Sequence, residues 1–256
     1  MRPRRLRVRE RVEEGDGIFT LRFDEEFDVV AGEFGMYWVY GVDEIPMSFA
    51  YRDGITVRAV GDATEAMSVL EEGDHLGMRG PFGTGFDVPD DDLLVVGGGT
   101  GMAPTAMLAE QAAERGADVT VLVGAATADE VVFDERLADV ADVRVATEDG
   151  SCGHEGLVTE LIDDIVDERG EPEDVAACGP EPMMAAVLDR FSDRPDDVQV
   201  ALERYMKCGI GVCGSCCVDP TGSPVCAEGP VYRGSEVEGG EFGVYHRDAA
   251  ARKRFF

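Results

Sequence analysis

Lysine, histidine and long apolar runs are scarce in this sequence of 256 residues. Only Lys207 and Lys253 are lysines among 23 basic residues, whereas 53 residues are acidic and the formal net charge is −30. A chain so negative repels nucleic acid and anionic membranes, so neither is an expected partner. No apolar run approaches the ~20 residues that span a bilayer, and no apolar segment follows the charged N-terminal residues. We therefore expect neither a transmembrane helix nor a signal peptide, and a cytoplasmic location.

The few histidines give no sign of acid–base catalysis. His75, His154 and His246 have no setting typical of a catalytic triad, so no catalytic acid or base is predicted.

The large negative charge has two interpretations. Concentrated salt shortens the range of charge repulsion to about 3 Å at 1 M. The acidic excess is therefore typical of a halophile's cytoplasmic protein, and the alternative is an acidic surface that meets one basic partner.

The chain divides into three zones that differ in the pattern of their apolar residues and in composition. In residues 1–88 apolar residues tend to alternate, as at Leu6 and Val8, between turns such as "EEGDG" and "YRDG". This pattern predicts short strands in an antiparallel barrel. Residues 89–200 alternate strand-like runs ("LLVVGGGTG", "ADVTVLVG", "DVRVAT", "DVAACG") with helical ones ("MAPTAMLAEQAAERG", "EPMMAAVLDRF"). That order predicts a doubly wound parallel α/β sheet. Residues 201–256 form a small Cys-rich module.

Four cysteines in the third zone have a spacing typical of an iron–sulfur site. Cys208, Cys213, Cys216 and Cys226 read C-x4-C-x2-C-x9-C, which resembles the ligand spacing of plant-type [2Fe–2S] ferredoxins. A disulfide framework is disfavoured because the cytosol is reducing. A zinc site is the remaining alternative, since two of the cysteines are separated by only two residues. Cys217, which adjoins Cys216, is not predicted to be a ligand and is expected to be a small buried residue.

A glycine turn and a thiol mark the expected ligand-binding edge of the parallel sheet. The turn from Gly97 to Gly101 follows a strand and opens a helix, where backbone amides favour a phosphate. It does not match the dinucleotide fingerprint G-x-G-x-x-G, because Met102 follows it. Cys178 ends a later strand and therefore also reaches the carboxyl edge, where open α/β sheets bind ligands. The alternatives are a tight strand-to-helix connection at the glycines and a plain core cysteine at Cys178.

Three motifs together carry a family resemblance. "GPFGTGF" (80–86), "GGGTGMAP" (97–104) and "CGPEPM" (178–183) resemble the ferredoxin–NADP reductase superfamily. With "TEDGSCGHEGLVTELI" (147–162) and "VCAEGPVY" (225–232), the chain resembles the electron transfer subunits of dihydroorotate dehydrogenase B over nearly its whole length. The resemblance implies an FAD-binding barrel, an NAD-binding α/β domain and a [2Fe–2S] module.

The resemblance also implies which residues contact the two nucleotides. Those expected at FAD are Pro46, Met47, Ser48, Thr56, Val57, Arg58, Ala63, Thr64, Gly80, Pro81 and Gly83. Those expected at NAD are Gly97, Gly98, Gly99, Thr100, Gly101, Cys178, Gly179 and Pro180.

The chain departs from the family at the flavin. The family has Arg-Pro-x-Ser where this sequence has Ile45-Pro46-Met47-Ser48, so the arginine that contacts the pyrophosphate is absent. Arg58 or Arg52 is expected to supply the charge instead. On the nucleotide side, Asp129 and Glu130 follow the second strand with no arginine, which disfavours a 2′-phosphate and favours NAD over NADP.

The implied reaction is electron transfer within a complex. A partner subunit carrying FMN oxidises dihydroorotate for pyrimidine biosynthesis, and electrons pass through the cluster and FAD to NAD. The expected assembly is a heterotetramer with two copies of each subunit. The alternatives are a reductase subunit of a hydrogenase or oxygenase complex, and a zinc-stabilised nucleotide-binding module without redox activity.

Overall fold

The first zone folds as a curled antiparallel sheet in the computed structural model, which describes residues 2–256. Its hydrogen-bonded order is β4-β3-β6-β1-β2-β5, and the edge strands β4 and β5 approach each other. Its elements are β1 (Arg4–Gly15), β2 (Ile18–Phe23), β3 (Phe34–Trp38), β4 (Glu44–Ser48), β5 (Gly54–Arg58), α1 (Asp62–Ser68) and β6 (His75–Phe82).

Alternation along β1 shows why this sheet forms. Leu6 and Val8 are fully buried, while the arginines on either side of them are exposed. Side chains of a strand point alternately to its two faces, so this pattern places one face on the core and the other in water. The predicted antiparallel barrel is confirmed as a half-barrel sheet.

The second zone folds as the predicted parallel sheet with helices. The full sheet order is β10-β9-β8-β7-β11-β12-β15. Its elements are β7 (Leu93–Gly98), α2 (Met102–Arg115), β8 (Val119–Ala125), α3 (Asp134–Leu137), β9 (Asp142–Thr147), β10 (His154–Glu155), α4 (Leu161–Arg169), β11 (Asp174–Cys178), α5 (Glu181–Arg190) and β12 (Val198–Ala201). Strand β12 was not anticipated, because its four residues are too few to show a period.

The strand order reverses beside β7. The chain adds β8 and β9 on one side of β7, then returns to add β11 and β12 on the other side. Residues Leu93–Gly98 are buried along their whole length because neighbouring layers cover both faces of this central strand. The gap between the ends of β7 and β11 is therefore the switch point at which such sheets bind ligands.

The third zone is small and partly merged with the second. It contains β13 (Cys217–Val218), β14 (Ser223–Pro224), α6 (Val225–Glu228), β15 (Val231–Arg233), α7 (Gly234–Val237), β16 (Tyr245–Arg247) and β17 (Lys253–Phe255). Strand β15 pairs antiparallel with β12 and so extends the nucleotide-domain sheet across the predicted boundary at residue 201. Among residues 2–256 no helix has the length and apolar content to cross a membrane.

Candidate functional site

The glycine turn lies at the switch point, directly beside Cys178. Gly97 of β7 is the register partner of Cys178 at the end of β11. A side chain on Gly97 would collide with the sulfur of Met102, and one on Gly101 would collide with the carbonyl oxygen of Cys178. Only glycine permits this close packing. The two motifs predicted at the carboxyl edge are therefore brought together.

The arrangement suits a nucleotide. A 3-10 turn over Gly99–Gly101 leads into α2, a helix of 14 residues, and the N-terminal end of such a helix favours a phosphate. Burial, with a smaller contribution from the Glu203 carboxylate, raises the pKa of the Cys178 thiol to about 12. The thiol therefore stays neutral beside the turn and adds no negative charge where phosphates are expected.

The flavin motif lies on the edge strand β4. Pro46, Met47 and Ser48 pair with Met36, Gly35 and Phe34 of β3. All five residues of β4 are half-buried, unlike the fully buried strand cores. Ile45 packs against the barrel core, so its side chain offers no charge to a phosphate. The motif thus leaves a partly open apolar edge without the family's arginine.

Of the three residues predicted at FAD on strand β5, only Arg58 has a side chain available to a ligand. Thr56 and Val57 are buried, and the Thr56 hydroxyl lies 2.7 Å from that of Thr20. Their side chains point into packed surroundings, so only their backbone groups remain for FAD. Arg58 is half-buried; its Nη2 lies 2.5 Å from Oε2 of Glu130, and its Nε has no hydrogen-bond partner among residues 2–256. A guanidinium in this position can bind a phosphate of a dinucleotide.

The remaining predicted flavin residues lie at the start of α1 and the end of β6. The Thr64 hydroxyl accepts the Gly61 amide at 3.0 Å and so caps α1, while Ala63 and Thr64 are both nearly buried. Gly80 has φ +129° and lies against the Phe34 carbonyl, where a side chain would crowd the backbone at 3.2 Å. These positions shape the backbone of the site, with Pro81 also in β6 and Gly83 directly after that strand.

The four predicted ligands form two pairs of neighbouring thiols. Cys208 contacts Cys213, and Cys216 contacts Cys226. The Gly211 amide donates to the Cys226 sulfur at 3.1 Å. In residues 2–256 no three His, Cys, Asp or Glu side chains converge on one point as ligands of a single metal ion do. Four thiols in two pairs match the four thiolates that a cluster of two irons needs.

Backbone amides prepare part of this loop for thiolates. Burial opposes ionisation of Cys208, but backbone amides, led by that of Ile210, lower the pKa of its thiol to about 6. Burial, together with the contact with Cys216, raises the pKa of Cys226 to about 12. Iron would displace that proton, because a coordinating thiol is deprotonated. Three glycines of the loop have positive φ, which turns the amides inward: Gly209, Gly211 and Gly214.

The cysteine loop rests on the flavin-side sheet. A side chain on Gly209 would lie 2.8 Å from Cγ of Met36 in β3. Arg79 donates to the Cys208 carbonyl at 3.0 Å and forms a bidentate pair with Glu44 of β4, with both distances 2.7 Å. The loop therefore lies next to the strands that carry the flavin motif. Arg79 and Glu44 were not anticipated, because no local pattern distinguishes them from surface charges.

A second unanticipated group is a buried ionic triad. Arg204 is 2% exposed and binds Glu181 and Glu241, which are 6% and 1% exposed. Glu181 opens α5 directly after Pro180, whereas Arg204 shortly precedes Cys208. The triad thus connects the nucleotide edge of the sheet to the cysteine loop. In the sequence, Arg204 shows only as one of two adjacent charged residues, Glu203 and Arg204, between apolar residues in "VALERYM".

Two family models match the chain. The iron-sulfur cluster binding domain of dihydroorotate dehydrogenase B matches residues 203–238, and the oxidoreductase NAD-binding domain matches residues 95–189. The first range contains the four cysteines, and the second contains the glycine turn and Cys178.

Full-length relatives carry a consistent name. The chain is 42% identical over a 259-residue alignment to the probable dihydroorotate dehydrogenase B (NAD(+)), electron transfer subunit, of Methanocella arvoryzae, with 99% of each chain covered. It is 45% identical to the protein of the same name from Methanothermobacter thermautotrophicus, over 98% of this chain and 97% of the relative.

Solved structures share the architecture. One, from a study of flavin-based electron bifurcation by the NADH-dependent reduced ferredoxin-NADP oxidoreductase, has a TM-score of 0.79 and 27% identity, covering 90% of this chain and 88% of that chain. A ferredoxin NADP+ reductase from Neisseria gonorrhoeae with bound FAD and NADP has a TM-score of 0.62 at 18% identity, over 75% and 92% of the two chains. The second likeness bears on the fold alone.

Proposed function

The chain belongs to the family of dihydroorotate dehydrogenase B (NAD+) electron transfer subunits, and from this we propose that it passes electrons from a dihydroorotate-oxidising partner through a [2Fe–2S] cluster and FAD to NAD. The observation that carries the proposal is the seat of the cysteine loop. Gly209 lies against Met36, and Met36 pairs with Pro46 of the flavin motif. Electron transfer weakens steeply with distance, so adjacent cluster and flavin sites support a direct route.

The chain's own residues supply binding and orientation. A flavin exchanges electrons singly or in pairs, so it joins a one-electron cluster to a two-electron nicotinamide. Cys208, Cys213, Cys216 and Cys226 would hold the irons, and loop amides such as that of Gly211 would hydrogen-bond the sulfurs. The turn of glycines that opens α2 would hold the NAD pyrophosphate through backbone amides.

At the flavin, the β4 edge would carry the ring system and Arg58 the phosphate charge. The guanidinium of Arg58 touches Glu130 through Nη2 only, and its rigid fork matches phosphate oxygens. Arg52 is the weaker candidate, because its side chain is more exposed than that of Arg58. The predicted contacts at Ala63, Thr64 and Gly80 would come from the backbone. The side chains of Ala63 and Thr64 are buried, the Thr64 hydroxyl caps α1, and glycine has no side chain.

Four finer points belong to the proposal. The partner would be an FMN-bearing catalytic subunit, assembled as two copies of each chain. The nucleotide would be NAD rather than NADP, because Glu130 and Asp129 would repel a 2′-phosphate. The protein would act in the cytoplasm. The net charge of −30 would suit a cell with a high internal salt concentration.

Purification of the chain with and without its partner tests the function. The isolated chain should show flavin and iron–sulfur absorption bands and should reduce artificial acceptors with NADH. It should oxidise dihydroorotate only after the catalytic subunit is added. Dihydroorotate-dependent NAD reduction by the isolated chain would refute its role as a subunit, and a colourless protein that contains zinc would refute the redox function altogether.

A further inference from the structure

Arg58 and Glu130 meet across the seam between the barrel and the nucleotide domain. Arg58 ends β5, and Glu130 ends a 3-10 turn, Ala128–Glu130, that follows β8. Nη2 of Arg58 lies 2.5 Å from Oε2 of Glu130, and the two side chains are 33% and 26% exposed. Arg58 is expected at the flavin and Glu130 at the nicotinamide nucleotide. This ion pair therefore joins groups assigned to two different cofactors.

Backbone contacts hold both partners at the seam. The Asp16 amide donates to the Asp129 carbonyl at 3.0 Å, and a side chain on Gly15 would collide with that same oxygen. The Ala59 amide, next to Arg58, donates to the Gly17 carbonyl at 2.9 Å. One tight turn, between β1 and β2, thus touches the neighbours of both Arg58 and Glu130. Backbone hydrogen bonds of this turn therefore hold the segments that carry Arg58 and Glu130 next to each other.

The pair is a single contact and not a bidentate one. Only Nη2 of Arg58 touches the carboxylate, the contact is not aligned as a hydrogen bond, and Nε has no hydrogen-bond partner in residues 2–256. A guanidinium usually binds a carboxylate through two parallel hydrogen bonds. Arg58 can therefore exchange Glu130 for a phosphate and gain hydrogen bonds by doing so.

We propose that Glu130 is shared between the two cofactor sites, so that FAD and NAD bind cooperatively. This inference rests on the proposed function. Without FAD, Glu130 neutralises Arg58. When the FAD phosphate takes Arg58, the Glu130 carboxylate is released and can accept hydrogen bonds from the ribose hydroxyls of NAD. Each cofactor thereby favours the other.

Thermodynamic linkage makes the coupling reciprocal. If FAD raises the affinity for NAD by some factor, NAD raises the affinity for FAD by the same factor. Because both cofactors act by breaking the same ion pair, the strength of that pair limits the coupling. A partly exposed ion pair contributes about 0.2–1 kcal/mol, so removal of the Glu130 charge should tighten FAD binding by about 1.4- to 5-fold when NAD is absent.

Release of FAD from the loaded chain measures this coupling. The chain is diluted, and free FAD is followed by its fluorescence, with and without saturating NAD+, which does not react with oxidised flavin. The variants are Glu130→Gln and the matched control Glu135→Gln, an exposed carboxylate on α3 that is assigned to neither cofactor site. Circular dichroism verifies that each variant is folded.

The inference predicts that NAD+ tightens FAD binding in the wild-type and Glu135→Gln chains by about 1.4- to 5-fold, the strength of the ion pair that both cofactors break. In Glu130→Gln, FAD should bind more tightly without NAD+, and the NAD+ effect should be lost. A wild-type chain whose FAD binding does not respond to NAD+, an NAD+ effect that survives Glu130→Gln, or weaker FAD binding in that variant overturns the inference while the proposed function stands. A wild-type chain that holds no FAD overturns both.

Discussion

Replacement of Arg204 by methionine should destabilise the chain more than any exposed arginine replacement. The guanidinium makes four hydrogen bonds: to Glu241 at 2.8 Å, to Glu181 at 2.5 and 3.2 Å, and to the Glu203 carbonyl at 2.8 Å. Methionine fills much of the volume but leaves two buried carboxylates without a countercharge. Removal of one partner from a buried ion pair costs about 3–5 kcal/mol, and we expect a loss in this range.

Urea unfolding of the loaded protein checks the magnitude. The control is Arg144→Ala, which breaks ion pairs with Asp142 and Glu168 at a side chain that is 37% exposed. Exposed pairs contribute about 0–1 kcal/mol. With a slope of about 3 kcal/mol/M, Arg204→Met should lower the midpoint by about 1 M or more, and the control should lower it by less than a third of that.

A triple variant separates charge from packing. Arg204→Met combined with Glu181→Gln and Glu241→Gln removes all three charges, so no buried carboxylate is left unpaired. It should recover part of the lost stability, because the penalty arises from uncompensated charge. If Arg204→Met costs no more than Arg144→Ala, or if the triple variant is worse than the single one, the account of the triad as a buried ionic link is wrong.

Three further predictions address the cofactors and the charge. Cys226→Ser should lose most of its iron by iron analysis, whereas Cys217→Ser should keep it; full occupancy in Cys226→Ser would contradict the ligand assignment. Arg58→Ala should weaken FAD binding by about 1–3 kcal/mol, the scale of a lost charged hydrogen bond, and Arg52→Ala should not; the reverse order would place the charge on Arg52. The urea midpoint should rise between about 0.1 M and 1 M KCl, as the Debye length falls from about 10 Å to 3 Å; a flat response would show that the acidic residues do not oppose folding.

Local patterns in the sequence were sufficient for the main architecture. The alternation around Leu6 and Val8 predicts a strand with one wet face, and the run Leu93–Gly98 predicts a strand covered on both faces; both are observed. The cysteine spacing predicts a cluster loop before any coordinates are known. These features involve residues that are near one another in the chain, where strand and helix periods determine which side chains share a face.

The contacts between zones were not predictable in this way. No pattern in the sequence indicates that Arg79 reaches the Cys208 carbonyl, that Arg58 meets Glu130, or that β15 completes the nucleotide-domain sheet. Thr56 and Val57 illustrate the same gap, because their position on the flavin strand was foreseen but the burial of their side chains was not.

The sequence by itself determined the longer strands and helices of the first two zones, the ligand spacing of the cysteines and the glycine turn, but not short elements such as β12. The tertiary structure alone decided that the cysteine loop lies on β3 beside the flavin motif, and that the glycine turn faces Cys178. The physical reason is the range of the interactions. Helical and strand periods arise between near neighbours in the chain, whereas the seat of Gly209 on Met36 depends on the path of the whole backbone between them.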